Sequence, residues 1–460
     1  MKPVLLTDFG STYTKLTAVD LERERILGTA SAYTTVEEDI MIGMTKALEE
    51  LEKQVGPLEY QRRYACSSAA GGLKMIASGL MPELTVSAAR QATLGAGAKV
   101  MKVYAFKLTE EDAAEIRRSR PDILLLVGGI DGGNAEVIVH NAGMLAALPE
   151  EWPIVVAGNR NAAGECRRLL EGHQFYVCEN VMPKFGVLNT GPSQERIREI
   201  FLDRIIQAKG LSEAAALQDG PMIPTPASVM AAMELLARGL PEDGEAGLGE
   251  LMAVDVGGAT TDVYSVADGR PEDDAILYQG LPEPYVKRTV EGDIGMRYSV
   301  RGILEAAGAA KLARLSGLTE ERVLELVEYL RERTDALPDG DRELEALDFA
   351  LASAAVETAM GRHAGHLEEI YTGRGLTCVQ TGKDLTKVSQ IVVTGGSLIH
   401  SPRAREIAAR GLFNAEEPLS LRPKSAGVLV DRRYILAAMG LLAPHYPKSA
   451  LRIMKKELAK

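Results

Sequence analysis

What the chain lacks narrows the field first. Only four cysteines occur in 460 residues, Cys66, Cys166, Cys178 and Cys378, and no two of them form a CxxC pair. That spacing suggests neither a zinc site nor a disulfide framework. Positive charge is not in excess either. The formal net charge is −12, without the basic footprint that nonspecific nucleic-acid binding requires. No apolar run reaches the ~18 residues of a membrane span, and the first residues carry no basic-then-apolar signal. The expectation is a cytoplasmic protein with no nucleic-acid partner and no membrane partner. Against these absences, 46% of the residues are hydrophobic, ample for sizeable cores, and the length suits about three domains.

The most informative stretch is Met252 to Val266, MAVDVGGATTDVYSV. An apolar run ends on Asp255; Gly257 and Gly258 follow, then Thr260, Thr261 and a second acid, Asp262. The pattern predicts strand, tight glycine turn, strand. Glycine lets backbone N–H groups approach an anion closely, and an aspartate at the strand end can hold a metal-bound water against it. Taken alone this is an ordinary glycine hairpin. A second copy sits at the N-terminus: PVLLT, then Asp8, then FGSTYTK with Gly10, Ser11, Thr12 and Lys15, then a strand from Leu16 to Val19. Two such hairpins imply two similar domains facing one ligand. Lys15 can reach back over its turn to a phosphate as a point charge.

Between the hairpins the pattern changes. Val36 to Val55 predicts an amphipathic helix. From Leu73 to Val177, strands at 73–77, 100–106, 122–127, 154–157 and 174–177 alternate with helices at 87–98, 110–117, 135–147 and 162–170. Wholly apolar strands such as ILLLV indicate a parallel sheet covered on both faces. The loop GGIDGGN, Gly128 to Asn134, follows a strand end where open α/β sheets bind ligands, although a tight strand–helix connection explains it as well. Ser193 to Lys209 and Pro226 to Leu240 read as helices. Pro241 to Gly249 reads as a linker.

Beyond the second hairpin, Glu291 and Asp293 flank a glycine in TVEGDIGM. They either face a metal or an attacking water, or serve as helix N-cap acids. Residues 300–370 are charged and predicted helical. His363 and His366 could share a helix face there, but no carboxylate pattern completes a metal site. An apolar strand in QIVVTGGSLIHSP runs into Gly395, Gly396 and Ser397, where bare backbone would let an adenine lie flat. Val428 to Ala443 is predicted as a helix, and Ser449 to Lys460 as a basic, solvated one.

In order, DFGSTYTK, PTPASVMAAMEL, DVGGATTDV, VVTGGSLI and VLVDRRYILAAMG resemble the two phosphate motifs, two connecting helices and adenosine motif of the actin, Hsp70 and sugar-kinase superfamily. Nearly the whole chain also resembles one family within it. This is the accessory protein encoded beside coenzyme B12-dependent glutamate mutase and related aminomutases, the MutL/GlmL type. The carriers are LTDFGSTYTK, GGLKMIASGL, LLLVGGIDGGN, RTVEGDIGMR and VVTGGSLIH.

The resemblance implies an α/β fold: two ribonuclease-H-like, actin/Hsp70-type ATPase domains around a nucleotide cleft, with an inserted parallel α/β unit. The first domain would comprise 1–70 and 191–245, the insertion 71–190, and the second domain 246–460 with a helical insertion at about 300–375. It implies ATP/ADP and Mg²⁺ as cofactors. Gly10, Ser11, Thr12, Lys15, Gly257, Gly258, Thr260 and Thr261 would meet the phosphates, and Gly395, Gly396 and Ser397 the adenosine. Asp8 and Asp255 would hold Mg²⁺ mostly through water, with Asp255 orienting the attacking water. Asp262, Glu291 and Asp293 would stand behind them. The implied activity is an ATPase that reactivates an adenosylcobalamin-dependent aminomutase by releasing damaged cobalamin. Its subunits are the expected partner, and a homodimer is left open. A small-molecule kinase and an actin-like scaffold are the competing readings.

Overall fold

The computed structural model describes residues 1–10, 12–34, 39–68, 73–205, 211–373 and 375–459. Expectations for Ser11, Val36, Gly71, Lys209 and Lys460 lie outside these. The chain forms two compact units, Met1–Ser228 with Gly280–Pro282, and Val229–Gln279 with Glu283–Lys460. Each is taken by itself.

The first unit opens with three strands in antiparallel succession, β1 (Pro3–Phe9), β2 (Tyr13–Asp20) and β3 (Arg25–Tyr33). Helix α1 (Ile40–Val55) follows, its first turn capped by the Asp39 carboxylate accepting from Met41 N–H. It lays Ala47 and Leu51 on Leu5, Leu16 and Ala18. Each such leucine contributes about 1.5–3 kcal/mol when fully buried. Strand β4 (Arg62–Ser67) returns parallel to β1.

A second sheet then alternates with helices: β5 (Lys74–Gly79), α2 (Ser87–Gly95), β6 (Lys99–Ala105), α3 (Glu110–Ser119), β7 (Ile123–Leu126), α4 (Glu136–Ala146), β8 (Ile154–Val156), α5 (Ala163–Leu169) and β9 (Phe175–Val177). All its strands are parallel, in the order β6-β5-β7-β8-β9. The apolar run of β7 is explained by its two faces. Ile123 and Leu125 enter one core cluster, while Leu124 and Leu126 enter another. The first of these clusters also contains Phe9, Ile40, Met44 and Ala65, so the parallel sheet shares its core with β1, α1 and β4. Helices α6 (Gly191–Ile205) and α7 (Leu211–Ala216) lead to β10 (Ile223–Pro224), which joins β4 in parallel. The division between the units falls inside α8 (Thr225–Arg238).

Beyond α8 the second unit forms a short ribbon, β11 (Gly239–Leu240) and β12 (Glu245–Ala246), of which β12 lies in the expected linker. Strands β13 (Leu251–Val256), β14 (Thr261–Val266), β15 (Leu277–Gln279) and β16 (Val286–Glu291) precede helices α9 (Val300–Ala307), α10 (Ala309–Ser316), α11 (Glu320–Glu332) and α12 (Arg342–His363). Helix α12 is buried all round from Phe349 to Val356 and runs through the core there, as an apolar stretch of helix must. Then come β17 (His366–Thr372), β18 (Gly375–Thr381), β19 (Gln390–Thr394), α13 (Gly396–Ile399), α14 (Ala404–Ala409), β20 (Gly427–Val430), α15 (Leu436–Leu442) and α16 (Pro447–Leu458).

The mixed sheets of the two units have one plan. In the first the order is β3-β2-β1-β4-β10, in the second β16-β14-β13-β19-β20. In both, three antiparallel strands are followed by two parallel additions.

Three expectations are corrected. Val428 to Ala443 is not one helix. Val428 and Val430 pair with β19, Tyr434 takes φ +58, and the Asp431 carboxylate caps a new helix by accepting from Ile435 and Leu436 N–H. His363 and His366 share no helix face, because α12 ends at His363 and His366 begins a strand. The C-terminal helix is not merely solvated: Ala450, Leu451, Ile453, Met454 and Leu458 are buried. Among the described residues no helix is long and apolar enough to cross a membrane.

Candidate functional site

The two predicted hairpins close in the same way. After Asp8, Gly10 N–H donates to the Tyr13 carbonyl at 3.1 Å. After Asp255, Gly257 N–H donates to the Thr260 carbonyl at 2.9 Å. A Cβ on Gly10 would stand 2.6 Å from the Tyr13 oxygen, so the turn needs glycine there. In register, Asp8 lies opposite Lys15, and Asp255 opposite Asp262.

In the first unit Asp8 is buried. Its Oδ1 accepts from the Thr225 hydroxyl at 2.7 Å and from the Cys66 thiol at 3.4 Å. Lys15 Nζ stands 3.8 Å from Oδ2. Burial, and then the Asp8 charge, push the Cys66 thiol well above its usual range, which keeps its proton on sulfur. Thr225 was not singled out from the sequence. The only signal was a hydroxyl between two prolines at the start of an Ala-rich helix, and nothing local ties it to Asp8.

In the second unit the turn is held from behind by the segment after β16. The Gly257 carbonyl accepts from Met296 N–H at 3.0 Å. The Gly258 carbonyl accepts from Arg297 N–H at 2.8 Å and Tyr298 N–H at 2.9 Å, and the Ala259 carbonyl accepts from the Ser299 hydroxyl at 2.8 Å. Peptide units are planar and trans here, so the N–H following each carbonyl points the opposite way. The amides of Gly258, Ala259 and Thr260 therefore turn together away from that segment, toward the exposed side where Gly258 and Ala259 meet solvent. Successive N–H groups so aligned form a concavity for an anion. Gly295 permits the close approach, since a Cβ there would fall 2.4 Å from the Ala259 carbonyl carbon.

The other predicted residues divide. The Thr261 hydroxyl is buried and donates to the Ile294 carbonyl at 3.0 Å. Asp262 is gripped by Arg288, with Nε at 2.7 Å and Nη2 at 2.5 Å, and accepts from the Thr260 hydroxyl at 3.3 Å. Arg288 is itself buried beside Tyr264, whose hydroxyl burial pushes well above its usual range. Glu291 and Asp293 both accept from Arg362 Nη1, at 2.7 and 3.0 Å. Gly395 takes φ +94, and a Cβ there would lie 2.7 Å from Asp255 Oδ1 and 2.4 Å from the Val256 carbonyl oxygen. The glycine expected at an adenosine is thus packed against the Asp255 carboxylate. Gly396 is exposed, with nothing within 4 Å of its Cβ position. Among the described residues no three His, Cys, Asp or Glu side chains cluster to cage a metal.

A family model described as MutL protein matches residues 4–458. The protein MutL of Clostridium tetanomorphum is 48% identical over 464 residues, with 100% of both chains covered. Among solved structures, the activator of the 2-hydroxyisocaproyl-CoA dehydratase from Clostridium difficile, with bound ADPNP, aligns with 99% of this chain and 97% of its own, at 11% identity and a TM-score of 0.32. Xylulose kinase from Lactobacillus acidophilus aligns with 98% of this chain and 92% of its own, at 12% identity and a TM-score of 0.32.

Proposed function

The chain belongs to the MutL protein family, and within it we propose an ATP-dependent reactivating factor for an adenosylcobalamin-dependent aminomutase of the glutamate mutase type. The observation that carries the nucleotide half of this reading is the turn at Gly257–Thr260. Its carbonyls are bonded back to residues 296–299, which turns its amides outward, as a phosphate contact would need. The same turn bonding at Gly10 supports a second phosphate contact.

The residues fit Mg-ATP, which when bound supplies the phosphoanhydride and a charge-neutralising cation. Single carboxylates, Asp8 and Asp255, suit Mg²⁺, which sheds water reluctantly and keeps most of its shell. Amides of Gly258, Ala259 and Thr260 hold phosphate oxygens, and Lys15 adds a point charge. Asp255, backed by the bare Cα of Gly395, orients the attacking water. Asp8 is fixed by Thr225 and Cys66. Phosphoryl transfer asks the protein mainly for positioning and charge stabilisation, which these groups supply. Nucleotide state then changes affinity for the mutase only through contacts that differ between states.

The partner half rests on the family. Adenosylcobalamin enzymes lose the adenosyl group in side reactions and retain the damaged cofactor; loosening the mutase would let intact coenzyme enter. The test is direct. A mutase inactivated with cyanocobalamin is incubated with this protein, Mg-ATP and fresh coenzyme. Activity should return with the wild type and fail to return with Asp255→Ala. No recovery of any B12-dependent aminomutase from the same source would refute the reading. We assign mutase contact to the region of the parallel sheet. Its core is shared with β1 and α1, so surface substitutions test this more cleanly than deletion.

A further inference from the structure

We infer that Arg297 and Asp348 are positioning residues for the phosphate turn, fixing where the amides of Gly258, Ala259 and Thr260 stand; this rests on the nucleotide half of the reading above. The starting observation is what shapes the turn. One bond closes it, from Gly257 N–H to the Thr260 carbonyl at 2.9 Å. The carbonyls of Gly257, Gly258 and Ala259 are held instead by residues 296–299. Two further bonds join the turn and the segment behind it. The Thr261 hydroxyl donates to the Ile294 carbonyl at 3.0 Å, and Ser299 Oγ donates to the Gly292 carbonyl at 3.2 Å as well as to Ala259. Wherever residues 292–299 stand, the amides of the turn follow.

Two kinds of contact hold that segment. Ile294 and Met296 are buried in the core that α12 runs through. Apolar burial is non-directional, so it sets their depth and not their angle. Direction comes from Arg297, whose side chain is 10% exposed. Its Nη1 and Nη2 donate to the two carboxylate oxygens of Asp348 on α12, at 3.0 and 2.8 Å. Its Nε donates to the Ala336 carbonyl at 3.0 Å, and Nη1 also donates to the Met296 carbonyl at 2.8 Å. The amide of this same residue donates to the Gly258 carbonyl at 2.8 Å. Arg297 therefore holds the turn with its backbone and α12 with its side chain. A planar fork on two oxygens fixes angle as well as distance. A second anchor lies further along α12, where Arg362 takes Glu291 and Asp293. Arg362 is 41% exposed, so water screens that anchor, and the inner pair sets the position.

Stability alone does not account for the pair. Taking two charges out of water is costly, and apolar residues of similar volume often serve a fold as well or better. Here the neighbours Ile294, Met296 and Phe349 are already apolar and buried. What an apolar pair could not supply is a fixed direction for the segment, and hence for the amides. Positioning of that kind is sensitive: a shift of about 1 Å loses about 10²-fold in rate.

The experiment uses the full chain. One variant, Arg297→Met with Asp348→Leu, removes both charges together and strands neither. A second, Asp348→Asn, keeps the shape and one accepting oxygen, and carries the test if the first fails to fold. Four quantities are measured: the unfolding midpoint in denaturant, amide exchange of residues 292–299 in the ligand-free protein, affinity for Mg-ATP and for adenosine, and kcat for ATP. The double variant should unfold no earlier than wild type. Amides of residues 292–299 should nonetheless exchange about tenfold faster or more, as local opening requires. Mg-ATP should bind about tenfold more weakly, and kcat should fall about tenfold or more. Adenosine, which carries no phosphate, should bind as before. Asp348→Asn should move exchange, ATP affinity and kcat in the same directions by less. Either variant overturns the inference if it is folded and binds and hydrolyses Mg-ATP as wild type does, whatever its midpoint. Equal losses for adenosine and ATP overturn it too, because the turn is then not what moved. A wild type that does not bind ATP removes the nucleotide reading, and this inference with it.

Discussion

Asp255 depends on a residue that has no side chain. Gly395 is confined by φ +94 and by a Cβ position that would overlap the Val256 carbonyl and crowd the Asp255 carboxylate. Gly395→Ala should therefore cost about 1–3 kcal/mol of stability and displace the carboxylate. A misplacement of about 1 Å at a positioning group is enough to lose about 10²-fold in rate. Steady-state ATP hydrolysis should show that loss in kcat, with a smaller effect on ATP affinity; a variant with wild-type kcat would detach Gly395 from Asp255. The sequence marked both residues, but in different motifs. Gly395 is readable as a glycine that matters because it follows an apolar strand. That it matters to Asp255 is a property of the β13–β19 register, which sets Asp255 beside Thr394. Thr225 was illegible for the same reason: it reaches Asp8 only through the fold.

At the scale of elements, the long apolar helix α12 ends on a polar knot under β14 and β16. His363 is fully buried, with Nε2 2.8 Å from Ser265 Oγ and Nδ1 2.7 Å from Thr289 Oγ1. Lys287 Nζ donates to the His363 carbonyl and pairs with Glu283. Lys383 Nζ donates to the Pro284 and Tyr285 carbonyls at 2.8 Å and stands 3.5 Å from Ser265 Oγ. Burial, then the Lys287 charge, bring Lys383 down to about 7, partly offset by Glu283, Glu250 and Asp268. Burial, followed by Lys287 and Lys383, takes His363 well below its usual range. For both, the unfolded chain binds the proton more readily. The Lys383 contribution to stability is therefore full above about pH 10.4, the unfolded value, and is lost as pH falls toward 7. His363 adds a further loss below about pH 6.5. Lys383→Met should flatten the rise in unfolding free energy between pH 7 and 10, by about 4 kcal/mol at most. Denaturant titrations across that range check it, and parallel slopes for wild type and variant would contradict it. The sequence marked His363 but not this knot, because the other members are scattered over β14, β16 and the loops before β16 and after β18. Periodicity did mark most strands and helices of the parallel sheet to within a residue or two. It failed at β20, where an apolar run too short to show a period was joined to the helix that follows.

Over the whole molecule, one strand plan is used twice with different charges. Opposite Asp8 stands Lys15, half-buried and 3.8 Å away. Opposite Asp255 stands another acid, Asp262, and the positive charge arrives from β16 as buried Arg288. The duplication was legible, since both hairpins announce themselves as strand, acid, glycine turn, strand. The exchange of roles was not, because Arg288 lies beyond the second hairpin and meets Asp262 only in the β14–β16 register. The two solutions should behave differently. On the proposed function Lys15 serves the nucleotide, so Lys15→Met should weaken ATP binding about tenfold, with a smaller loss of stability than at Arg288, whose ion pair is shorter, 2.5 against 3.8 Å. Arg288 serves the fold, so Arg288→Met should leave Asp262 unpaired and cost about 3–5 kcal/mol. Adding Asp262→Asn should return most of that loss, because the stranded charge is then gone. A double-mutant cycle in denaturant measures the coupling. Independent, additive losses would mean that Arg288 stabilises the sheet through packing alone, and the charge exchange between the halves would lose its physical basis.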